Sequence, residues 1–455
     1  MIYVRGSTQD YDDWAELVGD DEWSAKHMQQ YMRKHQTLEP IDPSITDRST
    51  MPLVGEFHGT SGPIRTSFND SILPVENDII KACEDVTGIS SKPTDAWSGD
   101  HIGFYHTLGA VDRTGPNKGK RSCSARGYYE AIHTTRSNLK VLCSALVNRV
   151  VLDGNKATGV SFSHDGVEYQ VSTRREVIIS GGTLQSPQIL ELSGIGDPEI
   201  LKAAGVECKA ANKGVGANVL DHPLTFSVMD VQSGIVTRDT LYQVPEAMEA
   251  ASKQYAEANG GPLSSVSTMQ ELGEIIQSIR DIKPTSAFHT KQLAQTIAHL
   301  ESDHSANMKA LTVPASMNPH AMDHQSKLLT PRSADQPSGL TMAFSLQYPM
   351  SRGTIHIGSA DPTKPPIINP KYGGHLADVS LLAAFLRWSE YHINGSVAMG
   401  DALDSRLRVK GVEGLRVADA SVFPNNVSGN ILSTVYAVAE KAADLILEDW
   451  APSKP

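Results

Sequence analysis

The alternation of apolar and polar residues over positions 138–180 predicts a β-meander. Four runs read as strands, and turn residues rich in Asp and Gly separate the later ones. These runs are LKVLCSAL, VNRVVLD, ATGVSFS and VEYQVSTRREVIIS. The last run ends in the short stretch 177–180, directly before Gly181 and Gly182, and this pattern is typical of a buried central strand.

A short helix is predicted directly after that strand, in the stretch GGTLQSPQILELSGIG. The side chain of Ser186 can cap this helix, and Pro187 can occupy its first position, where a missing N–H does no harm. Gly194 can end the helix, because glycine readily adopts the left-handed backbone that follows many helices. The expected local structure is therefore a strand, a turn and a helix.

The rest of the chain changes between helical and strand-like stretches. Residues 240–329 are rich in Ala, Gln, Glu and Met and predict a helical layer that is broken at 260–262. Strand-like alternation returns at 342–357, and the final stretch 431–448 places its apolar residues on one helical face. Together these elements predict an α/β fold whose domains are discontinuous in sequence.

Composition argues against several classes of function. The net charge is −12 and the charges are interspersed, so the concentrated positive surface that nucleic acids require is not expected. Four scattered cysteines without a CxxC pair predict buried thiols rather than disulfides or a zinc site. His320 and His324 have the spacing of a metal pair but no third ligand nearby in sequence, and we interpret them as surface residues without a metal.

The sequence also allows a prediction of the cellular location of the protein. No apolar stretch approaches the ~20 residues of a membrane span, so no membrane partner is expected. The first residues, MIYVRGSTQDYDDW, lack the charged and apolar regions of a signal peptide. A cytoplasmic location is the expectation if Met1 is the true start of the chain.

The candidate chemistry lies near the end of the chain. His392 occurs in YHINGSVAMG, and Asn430 follows Ser428 and Gly429 just before the predicted final helix. A neutral imidazole with a pKa near ~6.5 can take a hydroxyl proton, and an amide can hydrogen-bond the same oxygen without competing for that proton. Such a pair suits alcohol oxidation. A single histidine, however, more commonly has a structural or surface role.

Several separated blocks of the sequence support one common interpretation. They are MIYVRGSTQDYDDWAELVGDDEW, SNLKVLCSALVNRVVLDGNKATGV, GGTLQSPQILELSGIG, KGVGANVLDHP, YPMSRGTIHIGSADPTKPPIINPKY and YHINGSVAMG through GLRVADASVFPNNVSGNILSTVYAVAEKAADLI. These blocks, in this order, resemble those of the glucose-methanol-choline (GMC) oxidoreductases. The resemblance extends over most of the chain, and chance does not readily produce so many blocks in the order of one family.

The resemblance implies a fold and a set of site residues. The implied fold has a Rossmann-like FAD-binding domain and a substrate domain of antiparallel sheet plus helices. His392 takes the place of the family's catalytic histidine, and Asn430 that of its second active-site residue, which is His or Asn in different members. The residues implied to lie against FAD are Val147, at the adenine, together with Gly181, Gly182, Ser186, Asp419, Asn430, Ile431 and Leu432. From the residues alone, the two glycines equally suit an ordinary tight turn.

Two segments of the family pattern are not found. The family begins with a strand, a GxGxxG turn and a helix that hold the FAD pyrophosphate, and no such motif occurs here. Several dozen family residues before the catalytic histidine are also absent, since 386–390 run straight into His392. We interpret these gaps as an incorrect gene model or a decayed paralogue. The FAD-binding domain is accordingly expected to be incomplete at its N-terminus.

The predicted function is FAD-dependent oxidation of a CH–OH group in a small organic alcohol, with O2 or another acceptor taking the electrons. The similarity to fungal members favours a role in secondary-metabolite biosynthesis. Two alternatives stay open: a non-redox cyclase or isomerase on the same fold, and a catalytically silent truncated paralogue. The predicted domains are 1–117 (lid and start of the substrate domain), 118–225 (part of the FAD-binding domain), 226–390 (substrate domain) and 391–455 (end of the FAD-binding domain, with the catalytic residues).

Overall fold

A computed structural model gives the elements of most of the chain. It describes residues 2–265, 269–273, 286–302, 305, 307–318, 334–375, 377–379, 388–389 and 392–451. The helices in these ranges are α1 (Thr8–Val18), α2 (Ala25–His35), α3 (Pro74–Thr87), α4 (Gly182–Leu192), α5 (Pro198–Ala203), α6 (Thr240–Gln243), α7 (Pro245–Ala258), α8 (Ala287–Glu301) and α9 (Leu432–Trp450).

The strands of the described residues are mostly short. They are β1 (Ile2–Tyr3), β2 (Gln36–Leu38), β3 (Ile64–Thr66), β4 (Tyr105–His106), β5 (Leu108–Gly109), β6 (Ala145–Asp153), β7 (Lys156–His164), β8 (Val167–Ser172), β9 (Val177–Ile179), β10 (Ile195–Gly196), β11 (Ala210–Ala211), β12 (Pro223–Asp230), β13 (Met269–Gly273), β14 (Met308–Val313), β15 (Gly339–Leu346), β16 (Thr354–His356), β17 (Ile367–Asn369), β18 (Trp388–Ser389) and β19 (Leu415–Val417). Helices and sheets are thus mixed along the chain, as the sequence predicts.

Local sequence explains where α1 begins and ends. The N–H of Asp10 donates to Ser7 Oγ at 3.2 Å, and the N–H of Ser7 donates to Asp10 Oδ2 at 2.6 Å, which makes a reciprocal capping box. Gly19 ends the helix with a left-handed φ of 74°. Tyr11 and Trp14 lie on its buried face. A capped amphipathic helix is therefore available to pack against the core.

The main hydrophobic core joins the two ends of the chain. It contains residues of α1 and α2, both strands β9 and β19, and α9, including Trp14, Met28, Ile179, Val417 and Val438. Helix α9 packs directly against α2. The apolar face predicted for the final helix is buried there, as expected of an amphipathic helix.

A six-stranded antiparallel sheet forms a separate layer. Its strand order is β18-β12-β15-β14-β13-β4, and every neighbouring pair runs antiparallel. The pairing register places Phe226 opposite Ala343 and Ala310 opposite Phe344. This layer is the antiparallel sheet expected of the substrate domain.

The other major sheet region combines a meander with a parallel strand pair. Strands β6, β7 and β8 form the three-stranded antiparallel meander. Strand β9 pairs in parallel with β19, with Ile178 opposite Arg416. The two parallel strands come from distant parts of the sequence, so this layer is discontinuous along the chain, as predicted.

The structure corrects the prediction for the helix after β9. Helix α4 begins at Gly182 rather than at Pro187, which lies inside it. Ser186 is therefore not the cap; its Oγ instead accepts from the N–H of Gly181 at 3.1 Å. Only two residues, Ser180 and Gly181, separate strand and helix, and Gly182 adopts a φ of 75° that other residues rarely adopt. Gly194 follows the end of α4 with a left-handed φ of 85°, as expected.

Two predictions about burial are also wrong. Strand β9 is not a fully buried central strand: Ile178 is 44% exposed, and β19 is its only paired strand among the described residues. The run LKVLCSAL is a strand only at its end, since β6 begins at Ala145 and Val141 and Leu142 are exposed. Apolar alternation alone does not provide a strand with a partner, and an unpaired segment leaves its side chains in solvent.

Some further predictions have mixed outcomes. All four cysteines are free, but Cys143 and Cys208 are exposed rather than buried. The predicted helical layer contains α7 and α8, yet β13 and β14 also fall inside its range. His320 and His324 lie outside the described residues. In the part of the chain that the structure describes, no helix is long and apolar enough to cross a membrane.

Candidate active site

His392 is held beside a short segment that precedes β12. Leu220 and Asn394 form an isolated antiparallel bridge, which brings the two segments together. The carboxylate Oδ1 of Asp221 accepts from the N–H of His392 at 2.9 Å and from the N–H of His222 at 2.8 Å. One carboxylate therefore fixes the backbone of both histidines.

The two imidazole rings meet edge to face. Nδ1 of His222 lies 3.2 Å from Nδ1 of His392, and the ring planes are inclined by 87°. His222 is completely buried and His392 is half-buried. The Nδ1 of His392 is thus engaged by a buried histidine, which leaves Nε2 as the nitrogen for a reaction.

Asn430 lies in a loop that is anchored before α9. Ser428 donates its N–H and its Oγ–H to Asp10 Oδ2, at 2.9 and 2.6 Å. The N–H of Gly429 donates to Gln347 Oε1 at 2.5 Å. Gly429 has a φ of 101°, and a Cβ there would lie 2.8 Å from Val4 Cγ2. The loop can therefore take this path only with glycine at that position.

His392 and Asn430, far apart in sequence, face each other. Nδ2 of Asn430 lies 2.8 Å from Nε2 of His392. On its other side, Asn430 Oδ1 accepts from Nζ of Lys309 in β14 at 2.6 Å. The catalytic pair proposed from the sequence is thus one hydrogen-bonded unit, with a buried cation behind the amide.

Asp221 has an altered acidity in this setting. Burial raises the pKa of Asp221 to about 6, although hydrogen bonds from Tyr372 and from the N–H groups of His222 and His392 act in the opposite direction. The hydroxyl of Tyr372 bonds Oδ2 of Asp221. The charge of this carboxylate therefore changes within one or two pH units of neutrality.

A second cluster joins the ends of the two parallel strands. Asp419, just after β19, accepts at Oδ2 from the N–H of Gly182 at 2.9 Å and from Ser186 Oγ at 2.5 Å. Its Oδ1 accepts from the N–H and the hydroxyl of Ser421. The sequence-predicted residues Gly181, Gly182, Ser186 and Asp419 are thus brought together.

An apolar groove of about 330 Å³ lies next to this cluster. Val147 of the meander, Ile178 and Gly181 of the strand end, and Gln185 of α4 are among the residues that line it. The groove opens beside the carboxyl end of a parallel strand, where α/β proteins commonly bind ligands. Its apolar walls with a few polar groups fit the adenine end of FAD.

Helix α4 connects the groove with the candidate catalytic pair. Thr183 Oγ1 donates to the carbonyl of Ile393 at 2.8 Å, and Ser396 Oγ donates to the carbonyl of Thr183 at 2.6 Å. Thr183 lies in the first turn of α4, directly after Gly182. A ligand that extends from the groove along this turn would reach the neighbourhood of His392.

Comparison with known proteins identifies the family. The model of the N-terminal GMC oxidoreductase domain matches residues 1–224, and that of the C-terminal domain matches residues 387–439. The dehydrogenase mpl7 of Monascus purpureus is 33% identical over an alignment of 516 positions, gaps included, which covers 99% of this chain and 82% of the relative. This chain belongs to the GMC oxidoreductase family. GMC membership implies an oxidoreductase with FAD as its cofactor and a small-molecule substrate.

Other GMC relatives and solved structures agree with this placement. An oxygen-dependent choline dehydrogenase of Stenotrophomonas maltophilia is 29% identical over 98% of this chain and 78% of its own length. An FAD-dependent oxidoreductase from Chaetomium thermophilum has a TM-score of 0.83 at 23% identity, covering 99% of this chain and 84% of that one. A fungal aryl-alcohol oxidase has a TM-score of 0.82 at 21% identity with the same coverage. The GMC fold, with an FAD-binding and a substrate domain, is thereby established.

Sequence reasoning missed three residues of this GMC site. Asp221 and His222 stand in the block KGVGANVLDHP, which carried the family resemblance but no assigned role. Lys309 has no motif around it, and only the pairing of β14 brings it to Asn430. Ile431 and Leu432, predicted to contact the cofactor, lie at the start of α9 directly after Asn430.

Proposed function

We propose that this chain oxidises the CH–OH group of a small organic alcohol to a carbonyl, with FAD as the cofactor. The observation that carries the proposal is the 2.8 Å contact between His392 Nε2 and Asn430 Nδ2. A substrate hydroxyl that displaces this direct contact can give its proton to the base and accept a hydrogen bond from the amide. FAD, when bound, supplies the hydride acceptor that the oxidation requires.

The proposed roles follow from the available atoms. His392 takes the hydroxyl proton at Nε2, since its Nδ1 faces His222. Asn430 donates an amide hydrogen to the substrate oxygen and so keeps the hydroxyl directed at His392. The anchored loop of Ser428 and Gly429 keeps this geometry before the substrate arrives, which reduces the cost of ordering the site.

The cofactor contacts are proposed at two places, the groove beside β9 and the start of α9. Val147 and Gly181 line the groove that fits the adenine end. Gly182, Ser186 and Asp419 form the hydrogen-bonded cluster beside it. Asn430, Ile431 and Leu432 lie where α9 begins, so the positive end of that helix can favour negative charge on the cofactor.

For the substrate, we propose a small aromatic or polyketide-like alcohol of secondary metabolism, with O2 or another compound as the electron acceptor. The support is the similarity to fungal GMC proteins, among them the Monascus dehydrogenase. Fold similarity alone does not specify a substrate. A panel of benzylic, aliphatic and polyketide-derived alcohols therefore belongs in the first assay.

The decisive experiment is the visible absorption spectrum of the purified chain after gel filtration. A stoichiometric flavin spectrum that is bleached by an alcohol under anaerobic conditions is the expected result. A folded but colourless chain that does not take up added FAD would overturn redox catalysis by this chain. Turnover without flavin reduction would instead indicate a cyclase or isomerase, and neither binding nor turnover would indicate a silent paralogue.

A further inference from the structure

A buried lysine lies directly behind the candidate catalytic pair. Lys309 stands in β14, opposite Ser345 of β15, and is completely buried. Its Nζ donates to Asn430 Oδ1 at 2.6 Å. Burying an ammonium group costs free energy that hydrogen bonds offset only in part. An apolar residue at this position would therefore stabilise the sheet better than a lysine does. Its position beside Asn430 points to a role in the site.

The hydrogen bond from Lys309 decides which way the Asn430 amide faces. An ammonium group has three donors and no acceptor, so only the amide oxygen can face it. The amide nitrogen must then face His392, whose Nε2 lies 2.8 Å away. Without such a partner, the two ends of an amide are nearly equal in size and either one can face the histidine.

The direction of the amide in turn decides which nitrogen of His392 carries the proton. A neutral imidazole has one donor and one acceptor nitrogen, and an N–H group that faces Nε2 requires Nε2 to be the acceptor. The proton is then on Nδ1, which lies 3.2 Å from Nδ1 of His222. In this tautomer, Nε2 has a lone pair, which the amide N–H engages until a substrate hydroxyl takes its place.

We propose that Lys309 is a positioning residue that, acting through Asn430, holds His392 in the tautomer whose Nε2 can accept a proton. This role rests on the proposed function, in which His392 is the base. The wrong tautomer of His392 would be favoured if the Asn430 amide were turned by 180°. Its oxygen would then accept from Nε2–H, and Nε2 would have no lone pair with which to take the substrate proton.

Other titratable groups also face His392 and have to be separated from Lys309. Among the described residues, His222 lies against its Nδ1 and Asp221 accepts from its backbone N–H. Tyr372 bonds Asp221 and affects His392 only through that carboxylate. These groups lie on the Nδ1 and backbone side, whereas Lys309 acts on the Nε2 side. A readout that distinguishes the two ring nitrogens therefore separates their effects.

The first test uses the full chain labelled with 15N-histidine and needs no turnover. Long-range 1H–15N spectra distinguish the Nδ1–H from the Nε2–H tautomer, and a His392→Gln variant assigns the signals of His392 by their loss. We expect His392 to be Nδ1–H in the unmodified chain and to change to Nε2–H or a mixture in Lys309→Met. Lys441→Met, which removes an equally buried ammonium from α9, is the matched control and keeps the Nδ1–H form.

A spectrum with His392 as Nε2–H in the unmodified chain overturns the proposal, even if Lys309→Met does not fold. An unchanged tautomer in a folded Lys309→Met variant overturns it as well. Because this readout is independent of flavin and substrate, failure of the proposed function leaves it intact. The two hypotheses can therefore fail separately.

The second test uses the pH dependence of kcat/KM and applies once an alcohol substrate is known. We expect the acid limb of the profile to move to higher pH by about 1 unit in Lys309→Met, since a turned amide favours the protonated imidazole. In an Asn430→Ala background, the same lysine substitution should produce no further shift. A shift that persists without Asn430 would show that the lysine charge acts directly on His392, contrary to the proposal.

Discussion

The surroundings of His392 and the groove beside β9 differ in burial. Asp221, His222 and Lys309, which all belong to the hydrogen-bonded network of the catalytic pair, are each less than a tenth exposed. In contrast, Ile178 of β9 and Leu146 of β6, which both line the groove, are 44% and 39% exposed. The surroundings of His392 are built from segments that are distant in sequence and buried together. In the groove beside β9, apolar side chains are exposed to solvent.

This difference indicates that the two regions depend on a ligand to different degrees. Buried polar networks with satisfied partners specify one arrangement, so the catalytic pair is expected to keep its geometry without a ligand. An open apolar groove gains stability when a ligand removes its walls from water, so the region around β9 is expected to depend on bound FAD. The following predictions test that contrast in order of decreasing effect.

The largest effect is expected for the candidate base. His392→Ala should lower kcat/KM by about 10²- to 10⁴-fold, the usual contribution of general-base catalysis, without removing bound flavin. Steady-state kinetics and the flavin spectrum measure the two effects separately. His133→Ala, at an exposed position, is the control and should retain activity. Loss of flavin together with activity in His392→Ala would show that the two regions are not independent.

The next effect is expected at the anchor of the Asn430 loop. Asp10 accepts from Ser428, from the N–H of Ser7 and from the hydroxyl of Tyr348. Asp10→Ala leaves these buried donors without an acceptor and should lower the free energy of unfolding by about 3 kcal/mol. Urea unfolding measures this change.

The matched control for that variant is Asp21→Ala. The side chain of Asp21 is 83% exposed, and the free energy of unfolding should change by no more than about 0.5 kcal/mol. Equal effects in Asp10→Ala and Asp21→Ala would contradict a buried network as the origin of the stability of the catalytic loop.

A smaller effect is expected from the ionisation of Asp221. Burial raises its pKa from 3.8 to about 6 in the folded chain, so the folded state binds the proton more tightly than the unfolded state does. Stability should therefore fall as the pH rises from about 4 to about 6, by about 2 kcal/mol. Asp221→Asn cannot ionise and should lack this part of the fall. Urea unfolding of both proteins at pH 4 and pH 7 measures the difference, and parallel profiles would contradict it.

The smallest effect on stability is expected in the cofactor cluster. Gly182 has a φ of 75° with open space around its Cβ position, so Gly182→Ala should cost about 1 kcal/mol from backbone strain alone. Gly154, with a φ of 58° and similar space in the turn of the meander, is the matched control. We expect similar unfolding free energies for both variants but weaker FAD binding only for Gly182→Ala. Equal FAD affinity in both would argue against Gly182 as a cofactor contact.

Several sequence predictions depended on local patterns and were confirmed for that reason. The meander between Ala145 and Ser172 follows from alternation and turn residues, and the final helix follows from its apolar face. The predicted start of α4 at Pro187 was wrong. The helix begins at Gly182, whose left-handed backbone allows an earlier start than local rules favour. The domain limits at 117, 225 and 390 stay predictions.

The ordered motifs of the sequence predicted the GMC family, the FAD cofactor that the family implies, and His392 with Asn430 as a candidate catalytic pair. The folded structure was needed to place Lys309 of β14 behind Asn430 and to show that Asp221 holds both histidines in place. It also decided that Ile178 of β9 is exposed. The physical reason is the same in each case: strand pairing and burial depend on segments far apart in sequence, and no local pattern contains that information.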